Sequence, residues 1–89
     1  MQAIWKFPLE VTDSWRVEMP AGADVLTVQT QRDKPFLWAI VDTEEEVVVR
    51  TFATYGTGHE HFSISGQYVG TYKLENDFFV FHVFDVTGE

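Results

Sequence analysis

The sequence predicts an all-β fold: a single small antiparallel sandwich or partly open barrel of about six to seven strands, with little helix. Short runs rich in aromatic and β-branched residues recur along the chain, and turn residues separate them. No helical period extends beyond a turn or two. The 89 residues are expected to form one domain, residues 1–89. A chain of this size is near the small end of what folds alone and buries roughly 60–65% of its unfolded surface.

Four strands are expected in the first half of the chain, each bounded by turn residues. Proline has no N–H to donate, so Pro8 marks the first strand as an edge strand or as ending there. The third strand is mixed, with Leu26 and Val28 expected on one face. Val25 and Thr27 are then expected on the other face. The four predicted strands cover residues 3–9, 15–19, 25–31 and 36–41.

Three further strands are expected over residues 47–55, 67–75 and 78–86, with the longest loop at residues 56–66. The last strand is the most informative, because seven of its nine residues are apolar and each of these is aromatic or β-branched. Alternate side chains of a strand point to opposite faces. Both faces of this strand are therefore apolar, and both need to be covered.

Asn76 and Asp77 are predicted to form a two-residue hairpin turn, since both residues tolerate positive φ. This turn sets the register of the last two strands. On the core face, the predicted pairs are Leu74 with Phe79, Tyr72 with Phe81, Gly70 with Val83 and Tyr68 with Asp85. On the second face, the predicted pairs are Lys73 with Val80, Thr71 with His82, Val69 with Phe84 and Gln67 with Val86.

This second face is the candidate interface. A solvent-facing sheet surface does not ordinarily carry several large apolar residues, and such a patch usually marks an interaction site. Either the first two strands cover it within the same chain or a partner does, and a closed twofold dimer is the simplest solution. The candidate interface residues are Phe78, Val80, His82 and Phe84, with Val69 and Thr71 beside them.

Composition excludes several classes of protein. The chain has no cysteine, which excludes a disulfide scaffold and Cys-ligated zinc or iron–sulfur sites. The segment MQAIWKFPLE does not have a basic region followed by a long apolar run, and no stretch approaches the ~18 apolar residues of a membrane span, so a soluble cytoplasmic protein is expected. The net charge of −8 opposes direct binding to nucleic acid and leaves open the alternative of an acidic nucleic-acid mimic.

Histidines provide the alternative of metal or small-ligand binding. On an extended strand, His59 and His61 would share a face and supply half of a zinc or iron site. His82 or a distant acidic residue would then supply a third ligand. The competing interpretation of His82 is a partly buried histidine that is hydrogen-bonded to a neighbour such as Thr71.

The sequence contains no convincing catalytic constellation. The loop Tyr55-Gly56-Thr57-Gly58-His59 is only weakly similar to a phosphate-binding loop, because no helix is expected after it. Gly56 and Gly58 are instead expected to supply positive φ at the end of the fifth strand. The serines at positions 14, 63 and 65 do not lie in a nucleophile-elbow pattern. We therefore expect a non-enzymatic protein without a cofactor.

Six segments of the chain carry a resemblance to a known group of proteins. They are AIWKFPLEVTD (3–13), EMPAGADVLTVQ (18–29), FLWAIVD (36–42), YGTGH (55–59), YVGTYKLE (68–75) and FVFHVFDV (79–86). Together they span nearly the whole chain and resemble a family of small proteins encoded by tailed bacteriophages and prophages, a domain of unknown function. The resemblance implies a phage context and no particular activity, and it assigns no catalytic or binding residue.

The first functional hypothesis is a small acidic protein-interaction module. In a phage context its partner would be a host protein that it inhibits or modulates, and the apolar face predicts a homodimer. The alternatives are a metal- or small-ligand-binding protein that uses His59, His61 and His82, and an acidic mimic of nucleic acid.

Overall fold

Seven antiparallel strands in two sheets make up the computed structural model, which describes residues 1–89. The strands are β1 (Gln2–Pro8), β2 (Ser14–Pro20), β3 (Asp24–Gln31), β4 (Lys34–Asp42), β5 (Val47–Gly56), β6 (Gln67–Leu74) and β7 (Phe79–Asp85). The three-stranded sheet has the order β1-β4-β3, and the four-stranded sheet has the order β2-β5-β7-β6. The predicted all-β sandwich is confirmed, and the strands do not close into a barrel. The fold contains no helix of the length and apolar character that crossing a membrane requires.

The core lies between the two sheets and draws residues from both. Phe52 and Met19 of the four-stranded sheet and Leu37 of the three-stranded sheet are almost completely buried. Trp15 stacks on Phe52 with ring centroids 5.3 Å apart. Trp5 lies on the edge strand β1 and remains 41% exposed. The buried cluster consists of Leu9, Trp15, Met19, Ala23, Val28, Leu37, Ala39, Val41, Phe52, Tyr72 and Val83.

The hairpin between β6 and β7 forms as predicted. Asn76 and Asp77 have φ values of 54° and 69°, and the Phe78 N–H donates to the Glu75 carbonyl at 3.1 Å. Glu75 also has a positive φ, 52°, and its N–H donates to the Asp33 carboxylate at 3.0 Å. This bond ties the turn to the β3–β4 turn of the other sheet. The predicted register is confirmed for the five pairs from Leu74 with Phe79 to Gly70 with Val83.

A β-bulge in β6 changes the register beyond Gly70. The pairing with β7 shifts between Tyr68 and Gly70, so Val69 has no partner and packs against the core. Tyr68 therefore lies opposite Phe84, and the predicted pairs of Val69 with Phe84 and Tyr68 with Asp85 are wrong. The predicted pair of Gln67 with Val86 is wrong for the same reason, since Gln67 lies opposite Asp85. A bulge inserts one extra residue and reverses the alternation of faces.

A second bulge corrects the prediction for β3. The pairing of β3 with β4 shifts between Val25 and Thr27, which leaves Leu26 without a partner. Leu26 is 44% exposed, whereas Val25 packs against the core. The prediction that Leu26 and Val28 share a face is therefore wrong.

Besides the bond from Glu75 to Asp33, the two sheets are joined at two further places outside the apolar core. A Cβ on Gly70 of β6 would lie only 3.1 Å from the backbone nitrogen of Val28 in β3, so a glycine here permits the close approach of these strands. Elsewhere, Arg50 of β5 donates to the Asp85 carboxylate of β7 at 2.6 Å. The same guanidinium donates to the carbonyl of Ala23, just before β3, at 2.9 Å. This ion pair therefore links the four-stranded sheet to the start of the other sheet.

Candidate functional site

The outer face of the four-stranded sheet carries the predicted interface strand. The central strand β7 lies between β5 and β6, and its outward side chains meet outward side chains of both neighbours. Neither β1 nor β2 covers this face, because β1 belongs to the other sheet and β2 is the edge of this one. The outward residues of β5 to β7 are Val47, Val49, Thr51, Ala53, Tyr55, Tyr68, Thr71, Lys73, Val80, His82 and Phe84. None of them is a carboxylate.

Three aromatic rings form the centre of this face. Tyr55 of β5 meets Phe84 at a centroid distance of 5.6 Å and an interplanar angle of 77°. Tyr68 of β6 meets Phe84 from the other side at 5.5 Å and 64°. Both contacts have the edge-to-face geometry that aromatic pairs favour. Phe84 is half-buried between the two tyrosines, and Tyr68 remains 53% exposed.

A chain of side-chain hydrogen bonds runs beside the rings. The two ring nitrogens of His82 bond the hydroxyls of Thr57, at 2.7 Å, and Thr71, at 3.0 Å. The Thr71 hydroxyl in turn bonds the phenol of Tyr68. The predicted contact of His82 with Thr71 is confirmed. Since both nitrogens of His82 have partners, the imidazole orients its neighbours and has no nitrogen free for a metal ion.

The loop between β5 and β6 forms one end of the site. The His61 ring packs edge-on against Tyr55 at 4.7 Å, and Ile64 is 54% exposed. A shallow groove of about 300 Å³ lies between the loop and the sheet. We call it the aromatic groove, and its lining residues are Tyr55, Gly56, Thr57, Gly58, His59, Ile64, Tyr68, His82 and Phe84.

The structure does not bring the histidines together as metal ligands. No strand forms over residues 57–66, so the extended geometry that would align His59 with His61 is absent. The His59 ring lies against Gly56 so closely that a Cβ there would be 2.7 Å from ring atoms. Gly58 has the predicted positive φ, 86°, whereas Gly56 does not and is instead needed for this close packing. No group of three or more His, Asp or Glu side chains is placed to hold a metal ion.

The predicted interface residues lie in three different places. Thr71, Val80, His82 and Phe84 share the outer face. Phe78 lies in the hairpin turn, 79% exposed, and its ring contacts that of Phe79 at 5.0 Å. Val69 faces the core because of the bulge.

Tyr55 and Tyr68 are central to the groove, and sequence reasoning did not place either of them on it. The sequence marks Tyr55 only as part of the loop of residues 55–59. Its place beside His82 depends on the pairing of β5 with β7, for which no local pattern exists. Strand alternation predicts Tyr68 on the core face, and no residue type near Val69 marks the bulge that places it on the outer face.

Comparison with curated proteins and with solved structures finds no match. The sequence pattern of one family, described as a domain of unknown function (DUF7352), matches residues 1–89. This match agrees with the resemblance to a domain of unknown function and covers the whole two-sheet fold. The chain is therefore a member of the DUF7352 family.

Proposed function

We propose that this protein is a non-enzymatic interaction module of phage or prophage origin that binds a basic host protein in the cytoplasm. The phage context rests on the resemblance of the six sequence segments. The observation that carries the proposal is the aromatic groove, an exposed cluster of rings with no carboxylate at its centre. Its occupant would be an apolar side chain on a basic protein surface.

Rigid, partly exposed tyrosines favour a binding role for the groove. Aromatic side chains are enriched among the residues that dominate binding energy at protein interfaces. Tyr68 is held by the Thr71 hydroxyl and by Phe84, so little side-chain freedom is lost when a partner packs on it. Preorganisation of this kind raises affinity because the entropic cost of ordering is already met.

Charge defines the class of partner. The chain has 14 acidic and 6 basic residues, for a net charge of −8, and the outward positions of β5 to β7 carry none of the carboxylates. A basic protein is attracted by the surrounding acidic surface and meets no desolvated carboxylate at the centre of the contact. Nucleic acid is repelled by the same surface.

Photo-crosslinking in a bacterial lysate tests the site. The bait is the full chain with Ile64→p-benzoylphenylalanine, at the exposed rim of the aromatic groove, which leaves Tyr68 in place. The matched control carries the same residue at Val47, which is 62% exposed at the far end of β5. We expect a basic protein to be cross-linked from position 64 and not from position 47. Absence of any such protein contradicts the proposal.

The cross-linked protein is then purified and its affinity is measured against three forms of the chain by titration calorimetry. Tyr68→Ser is expected to weaken binding by about tenfold or more, which corresponds to about 1.4 kcal/mol. Val47→Ser is expected to bind as the wild type does. Equal affinities for all three forms would remove the aromatic groove as the binding site.

A further inference from the structure

The two sheets leave four edge strands, and β1 is the least protected of them, with Lys6 and the terminal Pro8 as its only protective residues. Strand β2 carries the outward charges Arg16 and Glu18. Strands β3 and β6 are both bulged, and they approach each other at Val28 and Gly70. Strand β1 pairs with β4 without a register shift, and its one charged side chain is Lys6. Natural sheets protect their edges with charges, bulges or cover, because free edges template new strand pairing.

The backbone of β1 presents an ordered row of free groups. The Met1 carbonyl accepts from the Thr43 N–H at 2.9 Å, and the Leu9 N–H donates to the Pro35 carbonyl at 3.2 Å. Backbone groups of an antiparallel strand alternate in direction. Odd-numbered residues of β1 are therefore bonded to β4, and the free N–H and C=O groups belong to Gln2, Ile4 and Lys6.

Exposed apolar side chains accompany these free groups. Ile4 is 63% exposed and Trp5 is 41% exposed, and alternation places them on opposite faces of the same edge. The Trp5 ring contacts Phe7 at 6.4 Å and has no neighbouring strand on its outer side. A strand added at β1 would cover both residues.

We infer that a second copy of this chain pairs with β1 in antiparallel fashion, with Ile4 opposite Ile4 on a twofold axis. In this register Gln2 lies opposite Lys6 of the second copy, and all three residues with free groups form backbone bonds. Pro8, which has no N–H, falls outside the paired segment. The two three-stranded sheets become one continuous six-stranded sheet.

The side chains of β1 are complementary to themselves in this register. Ala3 lies opposite Trp5 of the second copy, so each indole ring meets a small residue. No carboxylate lies on β1, so two chains of net charge −8 meet at a strand that has no negative side chain. These features favour a second copy over an unrelated peptide, because every position is matched by the chain's own sequence.

Charges on the flanking strands support the antiparallel direction. Asp42 lies opposite Gln2 in the β1–β4 pairing, and in the dimer Gln2 lies opposite Lys6 of the second copy. These three residues therefore form one row across the joined sheets. Two strand spacings, about 10 Å, separate the backbones of Asp42 and that lysine. The two opposite charges therefore lie on the same face, while Asp42 keeps its pairing with the Met1 ammonium and Lys6 its bond to Gln31. The acidic loop that follows β4 is also placed toward the end of the second copy where Arg32 and Lys34 lie.

This inference does not rest on the proposed function, because β1 and the aromatic groove belong to different sheets. Sedimentation of the full chain from about 1 to about 100 µM tests it. We expect a dimer for the wild type and a shift of at least about tenfold toward monomer for Ile4→Lys, which sets two ammonium groups opposite each other. Val47→Lys is the matched control, at 62% exposure against 63% for Ile4, and is expected to remain dimeric.

Amide hydrogen exchange at low and high protein concentration tests the register. The N–H groups of Gln2, Ile4 and Lys6 are expected to become protected as concentration rises, while those of Ala3 and Trp5 are protected throughout. A wild type that stays monomeric at about 100 µM overturns the inference. So does a dimer that Ile4→Lys leaves intact or in which the three amides exchange freely.

Discussion

The outer faces of the two sheets both carry aromatic residues, but they are covered in different ways. On the three-stranded sheet, the Lys6 ammonium lies 4.6 Å from the centre of the Phe36 ring and 5.7 Å from that of Trp38. Its Nζ also donates to the Gln31 side chain at 2.9 Å. On the four-stranded sheet, Phe84 contacts both Tyr55 and Tyr68, and no lysine or arginine lies over these rings.

The aromatic rings of the three-stranded sheet are thus covered by a side chain of the same chain, whereas those of the four-stranded sheet are not. A lysine that lies over rings shields them from water with its methylene stem and is attracted to their faces. Trp38 is thereby half-buried by its own chain. Tyr68 has no such cover, and for this reason the four-stranded face, and not the tryptophan-bearing one, is the stronger candidate for a partner.

The largest expected effect on stability comes from removing the Arg50 guanidinium, which links the two sheets whose faces are compared. Arg50→Met leaves Asp85 mostly buried without its cation, since the side chain of Asp85 is 15% exposed. Loss of one partner of a buried pair costs about 3 kcal/mol in the free energy of unfolding. Urea denaturation measures this loss. Arg16→Met, at an exposed position of the edge strand β2, is the control and is expected to change little.

The Arg50–Asp85 pair also makes the free energy of unfolding depend on pH in the acidic range. Burial alone would raise the pKa of Asp85, but hydrogen bonds from Arg50 and Thr87 outweigh it and hold this pKa below its usual range. The stabilisation is therefore complete above the unfolded-state pKa of about 4 and is lost as the pH falls through the folded value. A variant Arg50→Met whose acid sensitivity in this window matched the wild type would contradict this role.

A smaller effect on stability is expected from the titration of Tyr72, which lies on the inner face of β6. Burial raises the pKa of Tyr72 to about 12, so the folded protein holds this proton more tightly than the unfolded chain. Stability is therefore expected to fall between about pH 10 and pH 12, by roughly 2–3 kcal/mol. Denaturation at a series of alkaline pH values measures the slope.

Tyr72→Phe is the matched variant for this test. It removes the titrating group, so its stability should lack this alkaline slope. It also removes a buried hydroxyl that has no hydrogen-bond partner, and at neutral pH we expect equal or slightly greater stability, by up to about 1 kcal/mol. An unchanged alkaline slope would show that another group is responsible.

The smallest expected effect on stability comes from Lys6, and it tests the difference between the two outer faces directly. Lys6→Met removes the cation over Phe36 and Trp38 and is expected to lower the free energy of unfolding by about 0.5–1 kcal/mol. Lys73→Met is the control on the four-stranded sheet, where no ring lies beneath the ammonium. Equal effects of the two substitutions, measured by denaturation at a concentration that keeps the chain monomeric, would mean that Lys6 gives no specific cover.

The local sequence predicts where each strand begins and ends, but it does not predict which strands pair with each other. Residues such as Pro20, Gly22 and the Asn76-Asp77 turn mark the ends of strands, and no boundary differs from its prediction by more than two residues. The pairing of β1 with β4 and of β2 with β5 joins strands far apart in sequence, and nothing in either strand alone specifies its neighbour.

The candidate site was predictable only in part for the same reason. His82, Phe84 and Thr71 could be placed on one face because a two-residue turn sets their register. Tyr68 could not, since it lies beyond the bulge at Val69, where β6 approaches β3, a strand distant in sequence. Alternation predicts a face only as far as the next bulge.

The central position of β7 has a consequence for folding. Strand β5 keeps one edge unpaired until residues 79–85, near the end of the chain, pair beside it. Until then Phe52 lacks the β7 strand that completes its sheet. A chain in which β7 has not yet paired therefore exposes an apolar strand edge, the kind of surface from which aggregation begins.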